Sequence, residues 1–523
     1  MRRFNITGTC YTEDHYMVDL SERLSQIEKL VEQGQYITIN RGRQYGKTTT
    51  LYHLANKLSD NYVVFSLSFE DFTEREYKNI EALSFALLKE MKKQIKSPTL
   101  KNATDFLKNG LTDIVKNNSE KKEIDFDDFS DFIGDICADS TKPIVLIIDE
   151  FDSVSSYDSF VEFLRMSRKK FLNKTIRPTF QSVILAGVYD IKNLKLKVRP
   201  DSEHQYNSPW NIAERFDGKM SFSVEQISQM LSDYENDHKT GMNISEIASL
   251  IYDYTSGYPF LTSKICKLID EKNLGWNKNG VLNVVKMLLK ESNTFFDDLT
   301  KKLEDFADIK KMLKELLFNG LEANFNIYNK HESIAAMFNY IADNNGKVKI
   351  SNRITETWLY NLFMDEKELD NRLFREGQID KNQFIENGEL KMDKILEKFA
   401  DHFNDIYKKS TEKFREEEGR RFFMLYIRPI INGTGHYYIE AQTRDLSRTD
   451  MIIDYLGKQY IIEMKIWRGQ SYNERGEKQL SEYLDYYHIN KGYMLSFCFN
   501  KNKVLGTKVI KLDNEKEILK VVV

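Results

Sequence analysis

The run Ile144-Val145-Leu146-Ile147-Ile148 constrains the fold more than any other stretch of this chain. It is aliphatic without interruption, follows the breaker Lys142-Pro143 and stops at two acids, Asp149-Glu150. A strand that buries one face alternates apolar and polar residues. A strand with no alternation is buried on both faces, as in a parallel sheet covered by helices on each side. Tyr62-Val63-Val64-Phe65-Ser66-Leu67 and Ser182-Val183-Ile184-Leu185-Ala186-Gly187 read as neighbours of the same kind. Strands alternating with helical segments imply an α/β domain. Ligands of such sheets sit at the carboxyl ends of the strands, where Asp149 and Glu150 would lie.

A second segment gives that position a chemistry. Ile37-Thr38-Ile39-Asn40 leads through Arg41-Gly42-Arg43-Gln44-Tyr45-Gly46 into Lys47-Thr48-Thr49-Thr50, which opens an amphipathic helix running to Leu58. Strand, loop and helix in that order are the context a P-loop requires. Loop N–H groups and the helix N-terminus bind phosphate. Gly46, Lys47, Thr48 and Thr49, with Arg43, are the candidate nucleotide ligands: Lys47 reaches the terminal phosphates and Thr48 ligates Mg²⁺. Asp149-Glu150 then has the Walker B pattern, Asp149 holding Mg²⁺ through water and Glu150 polarising the attacking water. The pattern departs at its first glycine, which is Arg41 here; glycine adopts the expected backbone conformation more easily. Gly187-Val188-Tyr189-Asp190 is either a γ-phosphate sensor or an ordinary turn at a strand end.

Near the C-terminus, Arg448-Thr449-Asp450-Met451-Ile452-Ile453-Asp454-Tyr455 and Tyr460-Ile461-Ile462-Glu463-Met464-Lys465 flank Leu456-Gly457-Lys458-Gln459, the pattern of a hairpin. Side chains alternate along a strand, so Glu463 and Lys465 share a face, and pairing can carry Asp450 to the same end. Two carboxylates form a site for Mg²⁺, or Mn²⁺, that activates water beside a phosphate. A lysine there orients the water or stabilises developing charge. The set Asp450, Glu463-x-Lys465 resembles the PD-(D/E)xK nuclease superfamily. A helical stretch from about Lys394 to Ile427, a strand His436–Gln442, the hairpin, a helix Glu477–Tyr487 and a strand Gly492–Phe497 follow that superfamily's core order. Gln479 and Tyr483, one helical turn apart, resemble its Gln-x-x-x-Tyr element. Glu418 is a candidate second-metal carboxylate, with Glu416 and Glu417 equally placed by charge.

Over most of its length the chain resembles the AAA-ATPase-like family, itself similar to the STAND and archaeal ATPases. The resembling stretches are His15-Tyr16-Met17-Val18-Asp19, Arg41 to Thr50, Leu146 to Phe151, and Thr255-Ser256-Gly257-Tyr258-Pro259-Phe260-Leu261. The resemblance implies that the first lies over the adenine and that Gly257-x-Pro259 sits in a helical lid beside the nucleotide. It also implies a C-terminal PD-(D/E)xK domain and a role in defence or mobile elements.

Composition narrows the partners. The formal net charge is −4 with 30% charged residues, so no global basicity advertises nucleic acid. Any DNA contact must come from local patches such as Arg165 to Arg177 or Lys192 to Arg199, which also read as solvated faces. Cys10, Cys137, Cys266 and Cys498 lack metal or disulfide spacing. No secretory leader or membrane-length apolar run is evident, so a soluble, cytoplasmic protein is expected, with no membrane partner.

The fold class expected is α/β: a P-loop NTPase core over 1–220, a helical lid over 221–291, a helical or winged-helix-like linker over 292–387, and a restriction-endonuclease-like α/β domain over 388–523. Gly346-Lys347-Val348-Lys349-Ile350-Ser351 would form the wing strand. The function expected is ATP binding or hydrolysis controlling a Mg²⁺-dependent phosphodiesterase that acts on nucleic acid, foremost DNA. Glu150, Asp450, Glu463, Lys465 and Gln479 are the catalytic candidates. Two alternatives stand: an ATP-switched protein whose C-terminal domain binds nucleic acid or a partner without cleaving, and a chain whose ATPase is the degenerate half. A homo-oligomer is left open.

Overall fold

The computed structural model describes residues 2–154, 157–188, 210–290, 294–318, 323–326, 329–365, 372–386, 389–407, 416–431, 435–442, 448–456, 458–467, 470–499, 505–512 and 516–523. The chain packs as two compact units, one of residues 1–238 with 258–264, the other of residues 239–257 with 265–523.

The first unit is built on a five-stranded sheet: β1 (Tyr36–Asn40), β2 (Val63–Ser68), β3 (Ile144–Asp149), β4 (Ser182–Gly187) and β5 (Ala213–Arg215). The order is β2-β3-β4-β1-β5 and every pairing is parallel. β1, β3 and β4 are buried at every position, as the unalternating sequences of β3 and β4 require; β1 buries Thr38 and Asn40 along with its apolar residues. Each face has its own core. Val63, Phe65, Leu67, Leu146 and Ile148 pack into one. Ile37, Ile39, Leu51, Leu54, Val64, Val145 and Ile147 pack into the other. β4 separates β1 from β3, so the loop after β1 and the acids after β3 flank the end of one strand.

The second unit contains a six-stranded sheet: β10 (Gly435–Gln442), β11 (Arg448–Tyr455), β12 (Lys458–Ile466), β13 (Lys491–Phe497), β14 (Gly506–Lys511) and β15 (Glu517–Val522), in the order β10-β11-β12-β13-β15-β14. β10, β11 and β12 pair antiparallel, and β12, β13 and β15 run parallel. The helix Gln470–Tyr486 lies between β12 and β13 in the chain, giving the strand, strand, strand, helix, strand order expected from the sequence. Of the helical stretch expected over about 394–427, the helices Met392–Tyr407 and Glu416–Ile431 are described; residues 408–415 lie outside the described residues. Two small hairpins complete the sheets: β6 (Ile341–Asn344) with β7 (Lys347–Ile350), and β8 (Ile385–Glu386) with β9 (Glu389–Leu390). The first includes the strand expected over residues 346–351. The same unit holds the helices Ile244–Thr255, Lys278–Lys290 and Arg353–Asp365.

Candidate functional site

The phosphate loop starts where β1 ends. Gly46 caps the helix Lys47–Leu58 with φ +74°, a conformation in which a side chain would be strained. The loop folds back on Lys47, whose Nζ donates to the carbonyls of Arg41 and Gly42, both at 3.3 Å. Thr48 Oγ1 donates to Asp149 Oδ2 at 2.6 Å, joining the two Walker segments directly. Asp149 Oδ1 in turn accepts from the N–H of Glu150 at 2.9 Å. Glu150 has φ +53°. Burial pushes its carboxyl above the ordinary carboxylate range, and the Lys47 ammonium pulls it back.

The strain expected at Arg41 falls elsewhere. Arg41 is not among the described residues with positive φ, whereas Gln44 has φ +62°. The reason is pairing: the Arg41 N–H donates to Gly187 O at 3.1 Å. Position 41 therefore continues the pairing of β1 with β4 by one hydrogen bond and does not use the left-handed backbone that favours glycine.

The neighbouring segments gather around this loop. Tyr258 Oη donates to Arg43 O at 2.9 Å, and the Tyr45 and Tyr258 rings lie 4.9 Å apart. The Gly257-x-Pro259 element thus contributes its middle residue to the loop, while the Arg43 side chain is exposed. Thr49 Oγ1 accepts from the Cys10 N–H at 3.1 Å, and His53 Nε2 donates to Cys10 O at 3.0 Å. These two contacts hold the N-terminal segment on the Lys47–Leu58 helix, and no motif marks His53. Further along that segment, Tyr16 Oη donates to Asp237 Oδ2 at 2.9 Å. Asp190 and the basic run 192–199 lie outside the described residues.

These groups fit Mg²⁺ and a triphosphate. Lys47 is buried in the cradle, Thr48 and Asp149 bring two oxygen donors together through their hydrogen bond, and Glu150 follows Asp149 directly. When bound, the metal would shield the phosphate charge; Thr48 and Asp149 would hold it and Lys47 would hold the phosphates.

In the second unit the register of β11 and β12 sets Met451 opposite Ile462 and Asp454 opposite Gln459. Extended by one residue, it sets position 450 opposite position 463. The Asp450 side chain lies outside the described residues, as do those of Glu416 and Glu417. Glu463 is fully buried, and Lys465 Nζ lies 2.9 Å from its Oε1. The Gln470–Tyr486 helix covers this face: at Gly476 a β-carbon would stand 3.5 Å from Lys465 Cγ. On that helix Gln479 Nε2 donates to Tyr483 Oη at 2.6 Å, and Tyr483 is buried. Glu418 is partly buried on the Glu416–Ile431 helix. Among the described residues, no three His, Cys, Asp or Glu side chains group around a potential metal position.

The sequence reading passed over Asp454. It shares a strand face with position 450, is fully buried, and pairs with Lys286 Nζ at 2.6 Å. Its signal was the i, i+4 spacing from Asp450 along one strand, but its partner is 168 residues away.

Residues 11–324, more than half of the chain, match the AAA-like domain family. The chain belongs to that family, and its parallel sheet carries the P-loop of a nucleotide-binding ATPase fold. No curated protein matches the chain. Among solved structures, a Walker-type ATPase of Pyrococcus abyssi is 15% identical, with 68% of this chain and 99% of that chain covered and a TM-score of 0.46. The ORC2 protein of Aeropyrum pernix is 11% identical, with 69% and 96% covered and a TM-score of 0.35. The RuvB Holliday junction branch migration motor of Thermotoga maritima is 12% identical, with 63% and 90% covered and a TM-score of 0.32. Among the described residues no helix is long and apolar enough to cross a membrane.

Proposed function

We propose that this protein binds and hydrolyses ATP at the Lys47 loop and that the nucleotide controls a Mg²⁺-dependent PD-(D/E)xK phosphodiesterase in the second unit, acting on nucleic acid, foremost DNA. In the first unit Lys47 orients the phosphates, Thr48 and Asp149 keep the metal in place, and Glu150 takes the proton of the attacking water. In the second unit Asp450 and Glu463 supply hard oxygen ligands. Lys465 stabilises charge as the phosphodiester breaks, and Gln479 orients water or Lys465.

The observation that carries the nuclease half is the fully buried Glu463 carboxylate with the Lys465 ammonium at 2.9 Å, under a helix bearing Gln479. Burying a carboxylate costs several kcal/mol unless it is compensated; a metal-binding role gives that cost a purpose. The deciding experiment is cleavage of a panel of single- and double-stranded DNA and RNA with Mg²⁺ or Mn²⁺, with and without ATP, by the wild type and Glu463→Ala. Cleavage that needs metal and Glu463 and responds to ATP is expected. Nucleic-acid binding without cleavage would replace the nuclease with a binding module.

A further inference from the structure

Arg41 stands where a P-loop has its first glycine, and its side chain has a specific destination. Its guanidinium donates through Nη1 to Asn40 O at 2.8 Å and through Nη2 to Gly218 O at 3.1 Å. Gly218 lies in the segment that leads from β5 to the helix Val224–His238. A second guanidinium grips the same segment: Arg23, buried on the helix Ser21–Glu32, donates to Met220 O at 3.1 Å and to Thr50 Oγ1 at 3.3 Å. The connection is pressed tight at this point, because a β-carbon at Gly218 would stand 2.2 Å from Phe216 Cζ and 2.9 Å from Gln26 Oε1. Beyond it, Ser223 and Gln226 exchange hydrogen bonds that start the next helix, and Gln226 Nε2 donates to Asp19 O at 3.0 Å.

The main chain of the same arginine faces the phosphates. Lys47 Nζ donates to Arg41 O at 3.3 Å, so a triphosphate that binds Lys47 competes with this carbonyl for the ammonium. One residue thus touches the phosphate-binding lysine with its backbone and the 216–223 connection with its side chain. The planar guanidinium holds the two carbonyls through two separate nitrogens in a fixed fork; an ammonium at position 41 would have to meet both from a single atom, without that fixed geometry. Two like charges are also held close here at some cost: burial, with Arg41 nearby, brings Arg23 down to about 10.

We propose that Arg41 is a positioning residue that clasps the 216–223 connection to the phosphate loop, so that nucleotide at Lys47 and the placement of the helix Val224–His238 are thermodynamically linked. The proposal rests on the reading of the loop as an ATP site. Linkage makes the coupling reciprocal: whatever loosens the clasp changes nucleotide affinity, and nucleotide changes the clasp.

The test is hydrogen exchange on the full chain, with and without Mg²⁺ and ATPγS, for the wild type, Arg41→Gly and Arg41→Lys. Nucleotide binding by each is measured separately with a fluorescent ATP analogue. Without nucleotide, both variants should exchange faster than the wild type at 216–223. With nucleotide, the wild type should change its exchange there. Arg41→Lys, which keeps the charge but not the fork, should bind nucleotide and lose more than half of that response. Identical exchange at 216–223 in all three proteins, or an undiminished nucleotide response in Arg41→Lys, overturns the clasp. A wild type that binds no nucleotide sinks the ATP-site reading and the coupling with it, even where the faster exchange of the variants shows the contact itself. Should Arg41→Gly fail to fold, the Arg41→Lys comparison still decides.

Discussion

At the end of β3 the Asp149 carboxylate is held by a neutral hydroxyl, Thr48 Oγ1 at 2.6 Å, while the nearby Lys47 ammonium is held by two backbone carbonyls. On β12 the Glu463 carboxylate, fully buried, lies 2.9 Å from the Lys465 ammonium. On β11 the fully buried Asp454 lies 2.6 Å from Lys286. At the Lys47 loop the ammonium and the Asp149 carboxylate have separate partners; at Glu463 and at Asp454 carboxylate and ammonium meet directly. On the proposed function, a polyanion at Lys47 would find a cation outside any ion pair. A divalent ion at Glu463 would instead compete with Lys465, and its binding would free that ammonium for a substrate phosphate. The contrast also divides stability from function. Buried ion pairs hold their surroundings hostage, because removing one partner strands a charge in the interior.

The largest expected effect follows from that last point. Lys286→Met removes the ammonium 2.6 Å from the buried Asp454 and should destabilise the second unit by about 3–5 kcal/mol, less to the extent that Lys278, whose charge also acts on Asp454, takes its place. The double variant Lys286→Met/Asp454→Leu should recover most of the loss, since a buried ion pair and an apolar pair of similar volume are often close in stability. Denaturant unfolding of the full chain, read by a probe in the second unit, checks it. A single variant as stable as the wild type would show that Asp454 is compensated by other groups and would erase the contrast.

Lys47→Ala comes next and should behave in the opposite way. The lysine is buried but its partners are two backbone carbonyls rather than a buried carboxylate, so stability should change by only about 1 kcal/mol, the net value of such hydrogen bonds. ATP affinity should fall by about 100-fold, the value of a charge-assisted contact worth ~3 kcal/mol. Calorimetric ATP titration with a parallel thermal melt measures both. Unchanged affinity would remove Lys47 from the phosphate site.

How much of this was legible in the sequence depends on the distance over which each interaction acts. The parallel-sheet strands were legible because Ile144–Asp149 carries its own burial in its unalternating residues. The β11–β12 hairpin was legible because a short turn fixes its register. The insertion of β4 between β1 and β3 was not, since strand order is a non-local choice. The strain at Arg41 was misplaced for the same reason: its main-chain N–H is held by Gly187, which belongs to a strand far along the chain. In the candidate metal site, Glu463 and Lys465 were legible from an i, i+2 alternation alone. Lys286 was not, because nothing within a helix face announces a carboxylate 168 residues away.

Lys465→Ala sharpens the comparison at the proposed metal site. With its ammonium gone, Glu463 meets no competitor, so Mg²⁺ or Mn²⁺ should bind at least as tightly as in the wild type. The cleavage rate should nevertheless fall by roughly 10²–10³-fold, the usual effect of removing one transition-state donor. Glu463→Ala and Asp450→Ala should lose metal and rate together. Metal titration by calorimetry separates the two patterns, and weaker metal binding in Lys465→Ala would show that the lysine supports the site rather than competing for it.

The smallest effect concerns Glu150, where function and stability oppose each other within the first unit. Burial raises its carboxyl above the ordinary range, with Lys47 acting against the shift. A raised carboxyl favours the protonated folded state, so ionisation withdraws stability as pH climbs from the ordinary carboxylate range through the shifted value. At neutral pH the wild type carries that deficit, and Glu150→Gln, which cannot ionise, does not. Glu150→Gln should therefore melt slightly higher than the wild type at pH 7, by a few degrees at most, and the gap should close as pH falls into the ordinary carboxylate range. The same variant should bind ATP and lose turnover, because the water has lost its base. The wild-type hydrolysis rate should fall on the acid side at a higher pH than an unshifted glutamate would give. Melting curves and single-turnover rates across pH measure both limbs. A Glu150→Gln protein that hydrolyses ATP at the wild-type rate would move the base elsewhere; one with a pH-independent stability difference would trace the gain to packing rather than to the buried charge.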